Sequence, residues 1–194
     1  MTRTGIARLG EARLNMVADT YPGGGTAAPG SAPGQLGHII EINANDVKYN
    51  ATVGTLYGAK YQYVQVVRQA QDCAPAVGLM CFWLDRAAFT VTTVVTGYDI
   101  AGVFINALTD LQYGWICIDG KCKVRMAANV TKVAPAKGDL CLAVAADVVD
   151  VLLDATALTS VEVAKIVGVI CDDGAIAADG ALVQVALKIG NENS

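Results

Sequence analysis

The chain has 194 residues, of which 54% are hydrophobic, 16% charged and 6% aromatic, and its net charge is −4. That hydrophobicity excludes a disordered chain. A basic stripe of the kind nucleic-acid binders carry is missing beyond Lys121-Cys-Lys-Val-Arg125, and the most apolar stretch, Leu140 to Leu153, is broken by Asp147 and Asp150 short of the roughly 20 residues a membrane span needs.

From the N-terminus, residues 3 to 19 set Arg3, Arg8 and Arg13 among Ile6, Leu9, Leu14, Met16 and Val17. This reads as a short amphipathic helix or an extended arm built to grip a partner, or else as a loose terminus. It shows no apolar signal core, so no secretory export is expected. Residues 22 to 37, PGGGTAAPGSAPGQLG, are uncharged and rich in Gly and Pro, which makes them a tether rather than part of a core. Residues 1 to 37 are therefore expected to be an arm and tether, and residues 38 to 190 a β domain.

Strand signals follow. His38-Ile-Ile-Glu-Ile42 is short and β-branched, Tyr61 to Val67 alternates, and Phe89 to Thr96 consists almost entirely of β-formers. Trp115-Ile-Cys-Ile118, Asp119-Gly120 and Lys121-Cys-Lys-Val-Arg-Met126 read as a hairpin on a type I′ turn, since Asp-Gly tolerates the positive φ such turns require. That pairing sets Cys117 opposite Cys122, either as a redox pair or as two core thiols, and the absence of an export signal favours the thiols. Lys121, Lys123 and Arg125 alternate with Cys122, Val124 and Met126, giving one wet face and one buried face. Thr159 to Lys165 reads as a short helix or a strand. Ala181 to Ile189 puts Val183, Val185, Leu187 and Ile189 on one face. Many short strands with Gly-bearing turns, and 14 Asp against 4 Glu, argue for an all-β barrel or sandwich.

An internal repeat runs through this region. CAPAVGLMCF at 73 to 82 aligns without a gap on VAPAKGDLCL at 133 to 142, and Ala101-Gly-Val-Phe-Ile105 resembles Val167-Gly-Val-Ile-Cys171. In each unit Pro stops one strand and Gly turns the chain into the next. The expectation is two similar β units, about 60 to 105 and 120 to 171, forming one barrel or sandwich.

Chemistry-bearing patterns are sparse. No pair of the six cysteines has CxxC spacing, so neither zinc nor any other cofactor or metal is expected. The single histidine, His38, opens an apolar strand, where packing explains it better than catalysis. Asp147, Asp150 and Asp154 would share a face only on a helix, where they could hold a hard cation. Tyr57, Tyr61, Tyr63, Tyr113 and Trp115 would serve as a carbohydrate platform only if exposed, and core or interface packing is the simpler reading. No catalytic residue is assigned, and an enzyme is not expected.

Val53-Gly-Thr-Leu-Tyr-Gly-Ala-Lys-Tyr-Gln-Tyr-Val64, the Cys73-to-Gly78 loop, Phe82-Trp83, Ala101 to Ala107, Tyr113 to Cys122, Lys137-Gly-Asp139 and Ile166 to Val169 together resemble the capsid decoration, or cement, proteins of tailed bacteriophages. The resemblance covers roughly residues 53 to 189. It implies a small β-rich domain, commonly trimeric, that binds the outside of the head and staples major capsid protein subunits. Its site would be the virion exterior, with assembly in the host bacterial cytoplasm. Nucleic acid and membrane are not expected as partners. Arg3, Ile6, Arg8, Leu9, Arg13, Leu14 and Val17 would then be capsid-contacting. The alternative is a carbohydrate- or receptor-binding β module of a head fibre or spike.

Overall fold

The computed structural model describes residues 36–42, 57–69, 74–93, 99–126, 136–143, 149–151, 166–171 and 182–189. Ten strands run through them: β1 (Ile39–Ile42), β2 (Tyr57–Val66), β3 (Met80–Asp85), β4 (Thr90–Thr92), β5 (Ile100–Phe104), β6 (Tyr113–Arg125), β7 (Leu140–Ala143), β8 (Val149–Val151), β9 (Ile166–Ile170) and β10 (Leu182–Lys188). No helix occurs among the described residues. The all-β expectation is met. The strands expected at 38–42, 61–67 and 181–189 form with ends shifted by a few residues, and Phe89 to Thr96 contributes β4. Phe89 itself ends a turn with φ of 53°, in which the Asp85 carboxylate accepts the N–H groups of Ala87 and Ala88. The proposed arm residues 3 to 17 and the stretch from Thr159 to Lys165 lie outside the described residues.

The strand order is β1-β2-β4-β3-β5-β6-β10-β9-β7-β8, and β2 also pairs with β6. Five strands, β2-β4-β3-β5-β6, thus close into a barrel. Most pairs are antiparallel, and β2 with β4 is parallel, Gln65 opposite Thr90 and Val66 opposite Val91. From the second half of β6 the sheet continues through β10, β9, β7 and β8.

Alternation along the strands sorts the side chains into two cores. Val64, Val66, Cys81, Trp83, Val91, Ala101, Phe104, Ile116 and Ile118 come from all five barrel strands and fill its interior. Tyr61, Tyr63, Met80, Phe82, Val103, Tyr113, Trp115 and Cys117, from the other face of β2, β3, β5 and β6, join Cys141, Ala143, Val167, Ile170, Val183, Val185 and Leu187 in a second cluster. Where β3, β5 and β6 form the barrel wall it is buried on both sides, which explains why Met80 to Trp83, Ala101 to Phe104 and Tyr113 to Ile118 are near-continuously apolar.

β6 corrects the hairpin expected at Asp119-Gly120. Tyr113 to Arg125 is one strand of 13 residues. A type I′ turn needs positive φ at both central residues, but only Gly120 has it, at 88°. A single left-handed glycine shifts the pleat by one residue instead of reversing the chain, in the manner of a bulge. The residues facing the second cluster are accordingly Tyr113, Trp115 and Cys117 before the shift, and Cys122, Val124 and Met126 after it. The strand is kept continuous by long ladders: β2 along its first part and as far as Lys121, and β10 from Asp119 to Arg125. These pairings outweigh the local turn preference. Cys117 and Cys122 are therefore not cross-strand neighbours.

Pairing registers recur along the chain. Met80, Cys81 and Phe82 of β3 face Val103, Gly102 and Ile100 of β5, with a slip after Cys81. Leu140, Cys141 and Leu142 of β7 face Val169, Gly168 and Ile166 of β9, with a slip after Cys141. Gly78 donates to Phe104 O at 2.9 Å and Gly138 to Ile170 O at 3.0 Å, and both glycines have positive φ. Tyr61, Tyr63, Val64 and Gln65 of β2 face Cys117, Trp115, Gly114 and Tyr113, as Lys121, Lys123, Val124 and Arg125 face Ala186, Gln184, Val183 and Leu182.

Candidate functional site

Among the residues singled out for chemistry, His38 is exposed and meets Trp115 edge-on, ring centroids 6.3 Å apart. Asp150 lies on the strand β8, opposite Leu142. The helical reading that would have grouped it with Asp147 and Asp154 is thus not the one the chain takes, because the β-branched neighbours Val149 and Val151 pair with β7. The other two aspartates lie outside the described residues. No group of three or more His, Cys, Asp or Glu side chains that could hold a metal ion occurs among the described residues.

The thiols are core groups. Cys81, Cys117, Cys122 and Cys141 are buried, and Cys171 is half-buried. Burial pushes the Cys81 thiol up. Burial, and then a hydrogen bond with Cys117, do the same for Cys122. The Cys117 thiol donates to the Asp119 carbonyl at 3.5 Å. Beside them stands Tyr61, whose phenol is pushed up by burial and then by these two cysteines. Its hydroxyl is buried without a hydrogen-bond partner. Cys81, Cys122 and Tyr61 therefore stay protonated and are poor nucleophiles.

Of the rings that would have formed a carbohydrate platform, Tyr61, Tyr63, Tyr113 and Trp115 are spent on packing. Tyr63, Tyr113 and Trp115 are buried, Tyr63 stacking on Tyr113 at 6.3 Å and tilting against Trp115 at 5.0 Å. Trp83 lies in the barrel with the Arg86 guanidinium 5.9 Å from its ring. Arg86 in turn forms a two-pronged exposed ion pair with Asp99, and that hydrogen bond raises its pKa.

The outward side of the β6–β10 ladder is the strongest concentration of charge the described residues offer. Val124 and Met126 of β6, and Val183, Val185 and Leu187 of β10, point inward. By alternation Lys121, Lys123 and Arg125, with Leu182, Gln184, Ala186 and Lys188 across from them, point outward. Lys123 and Lys188 are exposed, and Leu182 keeps 43% of its surface. Asp119, at the end of this face, is held by Lys60 at 3.5 Å. The sequence showed the first three cations as a wet face. Lys188 joins them only through the β6–β10 register, and the polar alternation of β10 was the signal for it.

Compared with protein-family models, curated proteins and solved structures, the chain matches none of them.

Proposed function

We propose that this chain is a structural protein of a tailed-bacteriophage virion, a decoration or cement protein that binds the outer surface of the capsid and stabilises contacts between major capsid protein subunits. The observation that carries the reading is the interior of the molecule. Both cores are filled by apolar side chains around strands paired on both edges, so a stiff body presents its surface as the part that recognises. The Gly-, aromatic- and β-branched motifs between residues 53 and 189 support the same reading. No catalytic residue, cofactor or metal is assigned to it. The protein would act as a homo-oligomer, with a trimer favoured, on the virion exterior after assembly in the host cytoplasm.

In this reading the fold consists of two similar β units with an N-terminal arm. The recurring registers support the two units: β2, β3, β5 and the first half of β6 correspond in order to the second half of β6, β7, β9 and β10. Arg3, Ile6, Arg8, Leu9, Arg13, Leu14 and Val17 would contact capsid protein, the apolar ones contributing about 25 cal/mol per Å² buried. Deleting residues 1 to 20 is expected to leave the thermal melt of the domain in place and abolish its co-sedimentation with capsids lacking it. Full occupancy by the truncated protein would remove the arm from the mechanism. The receptor- or glycan-binding alternative loses its simplest platform, because Tyr63, Tyr113 and Trp115 are buried.

A further inference from the structure

We infer that the outward face of the β6–β10 ladder is a docking surface for an acidic, partly apolar patch on a partner protein; under the capsid reading, on which this rests, the partner is the major capsid protein. Four of the chain's 14 basic residues, Lys121, Lys123, Arg125 and Lys188, share this face in a chain of net charge −4. The three on β6 alternate along one strand, so neighbouring cations stand about 7 Å apart, a spacing at which separate carboxylates can each meet one. Neither Lys123 nor Arg125 has an ion-pair partner among the described residues. Arg125 is half-buried, and a carboxylate is the acceptor a guanidinium matches best.

The β2–β6 ladder has a corresponding face, matched by register place in the repeat and not by lying on the same side of the sheet. There Tyr61 and Tyr63 hold the register places of Lys121 and Lys123, and Cys117 and Trp115 those of Ala186 and Gln184. That face is covered, its tyrosines and tryptophan buried in the second core. On the β6–β10 ladder the corresponding face has cations in place of rings, with Lys123 and Lys188 exposed and Lys121 and Arg125 half-buried.

The neighbours of the cations favour a protein over a nucleic acid. Leu182 is exposed, and Ala186 and Val169, which face each other across β10 and β9, are half-buried on the same side. A phosphate backbone has no use for this strip, whereas protein interfaces combine apolar contact with Arg-rich recognition. The net negative charge also repels a long polyanion while leaving a local basic face free to meet a local acidic one.

The test is co-sedimentation with capsids lacking this protein, using the full chain, K123E/R125E, and K123E/K188E, which changes only fully outward residues. All three are first compared by circular dichroism and thermal melting. Expected are weakening by about tenfold or more in both variants, and wild-type binding that falls as salt rises from about 0.05 M to about 0.5 M. Wild-type affinity in either folded variant overturns the inference and leaves the capsid reading standing. Failure of the wild type to bind capsids overturns the capsid reading itself. Unchanged capsid binding together with loss of binding to a short DNA duplex would overturn the inference in favour of a nucleic-acid face.

Discussion

At the scale of single residues, Tyr61 is an uncomfortable group among the described residues. Its ring belongs to the second core, yet its hydroxyl sits buried beside Cys117 and Cys122 without a hydrogen bond. Leaving a buried hydroxyl unsatisfied costs about 1–3 kcal/mol, so Tyr61→Phe is expected to be neutral or to stabilise by about 1 kcal/mol in urea unfolding. The pH dependence has a definite sign. The folded protein holds the Tyr61 and Cys122 protons above their ordinary values of 10.0 and 9.0, whereas the unfolded chain releases them there. Their contribution is complete below about pH 9 and is lost as the pH rises beyond it. Tyr61→Phe should therefore flatten the alkaline decline measured by urea titration at a series of pH values. An unchanged alkaline limb would show that this phenol does not drive it.

At the scale of elements, close backbone approach decides which glycines matter. A Cβ on Gly168 would lie 2.2 Å from the Ala186 carbonyl oxygen, and one on Gly102 would lie 2.7 Å from that of Cys117. Both sit where a strand crosses tightly against its neighbour, at matching places in the two ladders. Gly168→Ala and Gly102→Ala are each expected to destabilise by about 1–3 kcal/mol, read as a lower urea midpoint with an unchanged slope. If Gly168→Ala melted like the wild type, the β9–β10 spacing described above would be wrong. The sequence carried the strand positions well, because β-branched residues, alternation and Gly-marked turns are local signals. Its APAxG repeat pointed to the places where the registers recur. The Asp119-Gly120 turn misled because its outcome is set by distant partners. Nothing near Gly120 reveals that β2 and β10 will run past it on either side. The basic face was half legible for the same reason: alternation exposed Lys121, Lys123 and Arg125, but only pairing brings Lys188 beside them.

At the scale of the whole molecule, the two cores are wall-to-wall neighbours, since β2, β3, β5 and β6 each contribute one face to the interior cluster and the other to the second cluster. Disordering either one strips a buried face from the other, so the cores should melt together. The chain's two tryptophans report on them separately, Trp83 from the barrel interior and Trp115 from the second cluster. Trp83→Phe and Trp115→Phe each leave one fluorescent probe. After correction for each variant's own stability, measured by circular dichroism, fluorescence and backbone transitions should coincide in both. A fluorescence midpoint separated from the backbone midpoint in either variant would mean that the cores unfold independently.

The unbroken β6 has a mechanical consequence. Thirteen antiparallel residues reach about 44 Å, and this one length of main chain serves both the barrel and the strands beyond it. No linker lies along it to act as a hinge, so bending one part against the other would require tearing ladder hydrogen bonds rather than flexing a loop. A tensile load entering at one end would travel through covalent bonds and many amide pairs acting in parallel. The body would answer strain as a plate, a property that suits the bracing role proposed above.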